Sequence, residues 1–588
     1  MINMITLYFI LIPLFCAAVL FLTPEKYKEF KRNFFVISAL FNLFAVCFYF
    51  GKTVFSYYDW TGFNFSFSLV MSGFKEFMLI IPAFFAVLTS IFALSNMKEN
   101  PRASLFNASM MIAVACVNGA LITDSLIFLL LFIEALAIPF VLMIISSEND
   151  NKKLAIKAFA ITAVADLFLM AGIAITYSIA RTMNISEISL ELSGFSQIAA
   201  FVFIVIGAAG KLGVMPFHSW MPEASEKTSV PFMVFMATAA EKVLGVYLFI
   251  VALNMFDAAP CKTTLILMCF AALSAVVAAL LANSQKSFKR MLIYTSVSQG
   301  SFMAAALLSG IPLAIAGAVL HLLAHTVYKS SLFFGAGIMD DTKSETISYK
   351  NNPYIFTCFI LTIASFIGVP FFAAFYSKEL IYDGVLHLNI ILYAVMIIVT
   401  FLCSSAVLNW FGKIFFSKDG EYVEYPVASM IPAVTAALLC LLLGVFKNIP
   451  SHIIENMIIP FGFQEHTHVL LIVISISALV IVLLNFIIGF SRYKNGLGFV
   501  SGLISAFRID KLDAADDADP YNIVLKLYKS FGKASFDFDK GLNWIYDVLI
   551  VKTVLELSFI FKKVHNGSLR QYILWTLCGI AVIILFFV

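Results

Sequence analysis

Residues 318–334, AVLHLLAHTVYKSSLFF, decide how this chain is read. A helix crosses a bilayer core in roughly 17–25 apolar residues, and this run is long and apolar enough to do so. Yet it carries His321, His325 and Lys329. Their four-residue spacing puts all three on one face of a helix. Ionisable side chains at membrane depth are costly unless paired or hydrated, so they face a bundle interior or a watery cavity. The stretch therefore predicts a buried helix with a polar stripe. Two His at i and i+4 also invite a metal. The zinc-protease pattern needs Glu directly after the first His, here Leu322, and no third ligand stands beside them. A proton or water relay is the better use of two imidazoles whose ordinary pKa lies near neutrality.

Working outward, other apolar runs carry charges of the same kind. Glu134 sits in LLLFIEALAIPFVLMII (129–145) and Asp166 in ITAVADLFLMAGIAITY (161–177). Lys211 lies in IVIGAAGKLGVMPFHSW (204–220), between small residues and Pro216. Glu241 and Lys242 lie in MATAAEKVLGVYLFIVAL (236–253), and Lys378 and Glu379 follow Pro370 in IGVPFFAAFYSKELIY (367–382). A single such residue is often a structural pair or a snorkelling chain. The set points to a pathway, because acids and bases are both present and can neutralise one another. Two of the lysines, Lys211 and Lys378, also stand beside Gly or Pro breaks, and broken helices are tolerated in a membrane where they line a polar cavity.

Composition agrees. Of 588 residues, 61% are hydrophobic and 12% charged, and the mean hydropathy is +0.96. A soluble fold of this length lacks the polar residues to cover its exterior. About sixteen apolar stretches reach spanning length. The first, from about residue 5 to 22, lacks a basic leader and a small-residue cleavage site, and reads as a retained helix. A net charge of +3 gives no reason to expect nucleic acid. The nine Cys form no CxxC pair, so iron–sulfur ligation and a disulfide framework are not expected of this chain. No P-loop, dinucleotide fingerprint or nucleophile triad is present, so no catalytic centre or cofactor of its own is expected.

Alternate loops differ in basic residues. The loops after odd-numbered spans hold Lys26, Lys28, Lys31 and Arg32, then Lys98 and Arg102, Lys152 and Lys153, Lys227, and Lys286, Lys289 and Arg290. Lys343, Lys350, Lys413 and Lys418 continue the series, whereas the intervening loops hold Lys52, Arg181, Lys262 and Lys447. The positive-inside rule then places odd loops in the cytoplasm and both termini outside. One stretch, about 510–567, is too polar to span. Val524, Leu525, Leu527, Phe531, Trp544, Ile545, Val548, Leu549 and Leu555 form a partial apolar stripe there. A helix of about 45 residues would run roughly 65 Å along the membrane surface. The alternative is a solvated loop with two short helices.

Several long motifs in order carry a family resemblance: FIEALAIP (132–139), KAFAITAVADLFL (157–169), GAAGKLGVMPFHSWMPEA (207–224), KSFKRMLIYTSVSQGSFM (286–303), HLLAHTVYKSSLFFGAG (321–337) and FYSKEL (375–380). The chain resembles the antiporter-like membrane subunits of respiratory complex I, energy-converting membrane-bound hydrogenases and multisubunit Na⁺/H⁺ antiporters. Its layout is similar to the distal complex I subunit with a lateral helix. The resemblance implies an all-α polytopic fold with two inverted five-helix repeats, spans 4–8 and 9–13, each with one broken helix. The corresponding divisions are 1–103 (N-terminal spans), 104–255 and 256–416 (the repeats), 417–490 (further spans), 491–567 (lateral helix) and 568–588 (final anchor).

The resemblance also implies roles. Glu134 would be the acid facing Lys211, with Asp166 adjusting the pair. His321, His325 and Lys329 would form the central relay, and Lys378, with Glu379 beside it, the terminal lysine. Many members carry PTPVSALLHA in span 8, where this chain has TSVPFMVFMATAAEKVLGVYL (228–248); Ala237 stands at the His position, and Glu241 and Lys242 are the candidates to replace it. The implied function is H⁺ translocation, with Na⁺ as the other ion, in a cytoplasmic (inner) membrane. The implied partners are membrane lipid and the membrane and iron–sulfur subunits of a multisubunit redox complex, in which this chain would be a non-redox subunit. A stand-alone cation antiporter is the rival; a structural anchor does not need so many intramembrane charges.

Overall fold

In a bilayer each backbone N–H and C=O must be satisfied within its own segment, which favours helix wherever the chain is apolar. A computed structural model of the chain describes residues 5–60, 65–147, 151–258, 260–342, 346–416 and 424–457, with Lys552 and Glu556. The helices are α1 (Ile5–Leu22), α2 (Lys28–Tyr49), α3 (Phe74–Asn96), α4 (Ala103–Ile122), α5 (Leu126–Ala135), α6 (Ala137–Ile145), α7 (Lys152–Ala180), α8 (Phe195–Leu212) and α9 (Met221–Lys227). Then follow α10 (Val230–Phe232), a π-helical stretch (Met233–Ala240), α11 (Glu241–Met255), α12 (Lys262–Ser284), α13 (Phe288–Leu308) and α14 (Pro312–Thr342). The series closes with α15 (Pro353–Ile367), α16 (Ala373–Leu388), α17 (Ile390–Phe415), α18 (Val427–Val445) and α19 (Asn448–Met457). All of them belong to one compact unit, Met1–Ala515.

Thirteen spans among the described residues are long and apolar enough to cross a membrane. The fold is thus polytopic and helical, as the sequence leads one to expect. A further expected span divides into the shorter α15 and α16. The expected span at about 469–490, the final anchor (568–588) and, apart from Lys552 and Glu556, the lateral helix (491–567) lie outside the described residues. One element escapes the helical reading: an antiparallel hairpin of β1 (Val54–Trp60) and β2 (Phe65–Met71), with Val54 opposite Met71. It follows α2 and is pinned to the end of α4, where Asp124 N donates to Ser68 O at 3.0 Å. The alternation FSFS (65–68), facing the aromatic-rich VFSYYDW (54–60), is a strand signal, overlooked beside the stronger helical ones.

The innermost helices are the span formed by α10, the π stretch and α11, together with α13 and α14; α1 and α2 are peripheral. Three breaks matter. In α5/α6 the interruption at Leu136 lies just before Pro139, whose ring cannot donate to the preceding turn. After α8, Gly213 adopts φ +71°, and after α15, Gly368 adopts φ +93°. Both are left-handed caps that stop a helix in mid-membrane. Close approach between helices rests on small residues, as is usual in membranes. A Cβ on Gly210 would overlap Ala165 of α7, and one on Gly207 would stand 2.7 Å from Leu169 Cβ. Gly384 packs the same way on Ala314 N, at 2.6 Å for an added Cβ, joining α16 to α14.

Candidate functional site

The tight α7–α8 packing sets up the first part of the site. Lys211 lies in the last turn of α8, and its Nζ donates to Asp166 Oδ2 at 2.8 Å. The two side chains are 5% and 3% exposed. Asp166 Oδ1 is buried with no hydrogen-bond partner among the described residues. Glu134 is on the exterior of the bundle, at the α5/α6 break. Asp166 makes the direct hydrogen bond to Lys211, and Glu134 lies within electrostatic reach of both. The glycine contacts that draw α7 onto α8 explain the direct bond.

The middle of the site centres on Lys242, which is fully buried. Its Nζ donates to Leu212 O and, at 3.4 Å, to Ser296 O. Leu212 O is available because α8 ends there, and the last carbonyls of a helix have no donor of their own. Gly300 lets the ammonium in; a Cβ there would stand 2.7 Å from both Lys242 Nζ and Leu212 O. Glu241 is 5% exposed and precedes Lys242 at the point where the π stretch gives way to α11. Ala237 is buried within that stretch. Lys242 occupies the space between the α8 break and α13.

The four-residue spacing on α14 meets a matching polar stripe on α13, turn by turn. His321 Nε2 bonds Gln299 Oε1 at 2.9 Å, and its Nδ1 bonds Ser377 Oγ of α16, also at 2.9 Å. His325 Nε2 lies 3.3 Å from Ser296 Oγ; its Nδ1 is buried and unpartnered among the described residues. Lys329 Nζ donates to Leu292 O at 2.8 Å and to Thr295 Oγ1. Ser296 is thus shared, its carbonyl by Lys242 and its hydroxyl by His325. Thr295, Ser296, Gln299 and Ser377 were not singled out as site residues. The dense polar run TSVSQGS (295–301) inside an apolar span was the signal that marked the first three, and Ser377 stands directly before Lys378.

Lys378 of α16 is 4% exposed. Its Nζ donates to Phe366 O at 2.6 Å and Ile367 O at 3.4 Å. These are the carbonyls left over where Gly368 ends α15. The Phe366 ring centroid lies 5.7 Å from the same nitrogen. Glu379 is half-buried. Among the described residues, no three His, Cys, Asp or Glu side chains gather as metal ligands.

Apolar helices outside and paired polar groups inside define a multi-pass membrane protein. The family described as "NADH:quinone oxidoreductase/Mrp antiporter, TM" matches residues 123–404. NADH-quinone oxidoreductase subunit L of Buchnera aphidicola is 25% identical over 618 aligned positions, covering 95% of each chain. A Na⁺/H⁺ antiporter subunit of Alkalihalophilus pseudofirmus is 27% identical over 412, covering 67% of this chain and 83% of its own. A chain of the Mrp complex from Dietzia sp. superposes with a TM-score of 0.76 at 18% identity, over 95% of this chain and 63% of its own length. The present chain thus spans less than two thirds of that one. It is similar to antiporter-like and complex I membrane subunits.

Proposed function

We propose that the chain is an ion-translocating membrane subunit, carrying H⁺ for a redox-driven complex of the NADH dehydrogenase or hydrogenase type. The observation that supports this best is the near-continuity of the file. Lys211 bonds Asp166, and the residue after Lys211 accepts from Lys242. Lys242 shares Ser296 with His325, and one turn along α14 His321 bonds Ser377, which precedes Lys378. Waters would bridge the remaining steps. Each broken helix is the fourth span of its group of five, in keeping with two repeats, 104–255 and 256–416. The loop charges support termini outside.

A carboxylate about 4 Å from an ammonium stabilises it by roughly 4 kcal/mol at an effective dielectric near 20. The effective desolvation penalty of a buried ion is also several kcal/mol. The two nearly balance, so a small displacement of Asp166 would decide whether Lys211 keeps or releases its proton. An event in a partner subunit, reaching the exterior Glu134 face, would supply that displacement. The chain itself would take no part in electron transfer; iron–sulfur subunits would be its partners.

Na⁺/H⁺ antiport is the second reading, favoured by the unpartnered carboxylate oxygen Asp166 Oδ1 and the likeness to antiporter subunits. Ion-dependent pumping in inverted vesicles tests both, comparing wild type with Lys211→Met. Acidification without Na⁺ that vanishes in the variant and with an uncoupler is expected. Full pumping by Lys211→Met would sink the scheme, and a strict Na⁺ requirement with tolerance of the uncoupler would select antiport.

A further inference from the structure

We propose that the outer ends of α1 and α2 hold an anionic phospholipid, with an acyl chain in the groove between the helices and its phosphate on Lys52. The inference is independent of the transport reading. A cavity of about 260 Å³ lies there, walled by Ile5, Phe9 and Ile12 of α1 and by Phe41, Ala45 and Phe48 of α2. The rim faces outward: Tyr8, Phe44 and Phe48 are 51%, 63% and 53% exposed. In a polytopic protein such a face meets hydrocarbon, and an apolar cavity holds hydrocarbon rather than water.

Two polar features select the kind of hydrocarbon. Lys52 follows α2, and its Nζ lies 4.1 Å from the Phe48 ring centroid and 5.6 Å from that of Tyr49, both groove residues. Lys52 makes no ion pair among the described residues, so a phosphate would give this cation its counter-charge. Asn42 also lines the groove and is 2% exposed. Its Oδ1 accepts from Asn118 Nδ2 at 3.0 Å, while its own Nδ2 is buried without an acceptor among the described residues. A buried donor left unpaired is costly. The ester carbonyl of a glycerolipid is an acceptor that a bare hydrocarbon chain or a nonpolar helix face does not bring. Lys52 lies on a sparsely basic side of the membrane, which the loop charges assign to the outer leaflet.

The test is native mass spectrometry of the full-length protein in mild detergent, with phosphatidylglycerol or phosphatidylcholine added. Wild type should retain phosphatidylglycerol about fivefold better, the factor that one lysine near an anionic surface supplies. Lys52→Gln should abolish the preference, and Ala45→Trp should abolish retention of both lipids. Equal retention of the two lipids by wild type overturns the proposal, as does unchanged retention in Ala45→Trp. Because Ala45→Trp sits inside a span and can misfold, a benzophenone side chain at Phe44 provides a second readout in native membranes. A lipid-mass adduct is expected there; a protein adduct would assign the groove to a partner helix and end the lipid reading.

Discussion

Lys211 and Lys378 both flank a glycine-capped break in a membrane-spanning helix, yet they are held in opposite ways. Lys211 precedes its break and is bound to a carboxylate, Asp166. Lys378 follows its break and is bound to backbone carbonyls, Phe366 O and Ile367 O, beside an aromatic ring. A carboxylate can move or change charge and so alter its lysine. Carbonyl dipoles at a helix end cannot. In the proposed proton path the first end would be the one that is switched, and the second would receive a proton from a neighbour such as Ser377–His321. Lys242 resembles the second type, since it too rests on the carbonyls of a broken helix.

Asp166→Asn makes the largest break in this comparison. It leaves a buried ammonium without its counter-charge, and the unfolding free energy of the purified protein should fall by about 3–5 kcal/mol. Adding Lys211→Met to an apolar replacement, Asp166→Leu, should recover most of that stability while pumping stays absent. Lys378→Met strands carbonyls rather than a charge, so the loss in the same unfolding assay should be about 1–3 kcal/mol. Equal losses for Asp166→Asn and Lys378→Met would erase the distinction between the two ends.

Gly300→Ala places a methyl between Lys242 and Leu212 O; overpacking of this kind costs about 1–3 kcal/mol. Vesicle acidification should fall further than stability does, because the ammonium is displaced from the middle of the file. Ser296→Ala keeps the carbonyl that Lys242 uses but removes the hydroxyl that His325 uses. Stability should change by about 1 kcal/mol, and pumping should drop several-fold. Unchanged pumping would remove Ser296 from the path. Smallest of all, Glu134→Gln on the exterior should alter the stability of the isolated chain by about 0.5 kcal/mol or less. Its effect should surface only in pumping by the assembled complex.

Membrane residence, most of the spans and the inward face of α14 were legible because they depend on local quantities: run length, hydropathy and a four-residue spacing. The breaks at Gly213 and Gly368 were legible too, as Gly and Pro beside a charge. The β1–β2 hairpin was not read, since its short alternation lies between two much stronger helical signals. Which acid hydrogen-bonds Lys211 was not legible, because Glu134 and Asp166 are equally acidic and equally intramembrane. Only the glycine-mediated contact of α7 with α8, across 45 residues of chain, sets their order. Likewise Ala237 told of a missing imidazole, but not that Lys242 would reach the carbonyl of Leu212, 30 residues away. Which side chains must be kept from lipid follows from residue type and local hydropathy, because that cost belongs to each residue alone. Which of them meet was decided by the tertiary structure, because a pairing depends on how closely two helix backbones can approach.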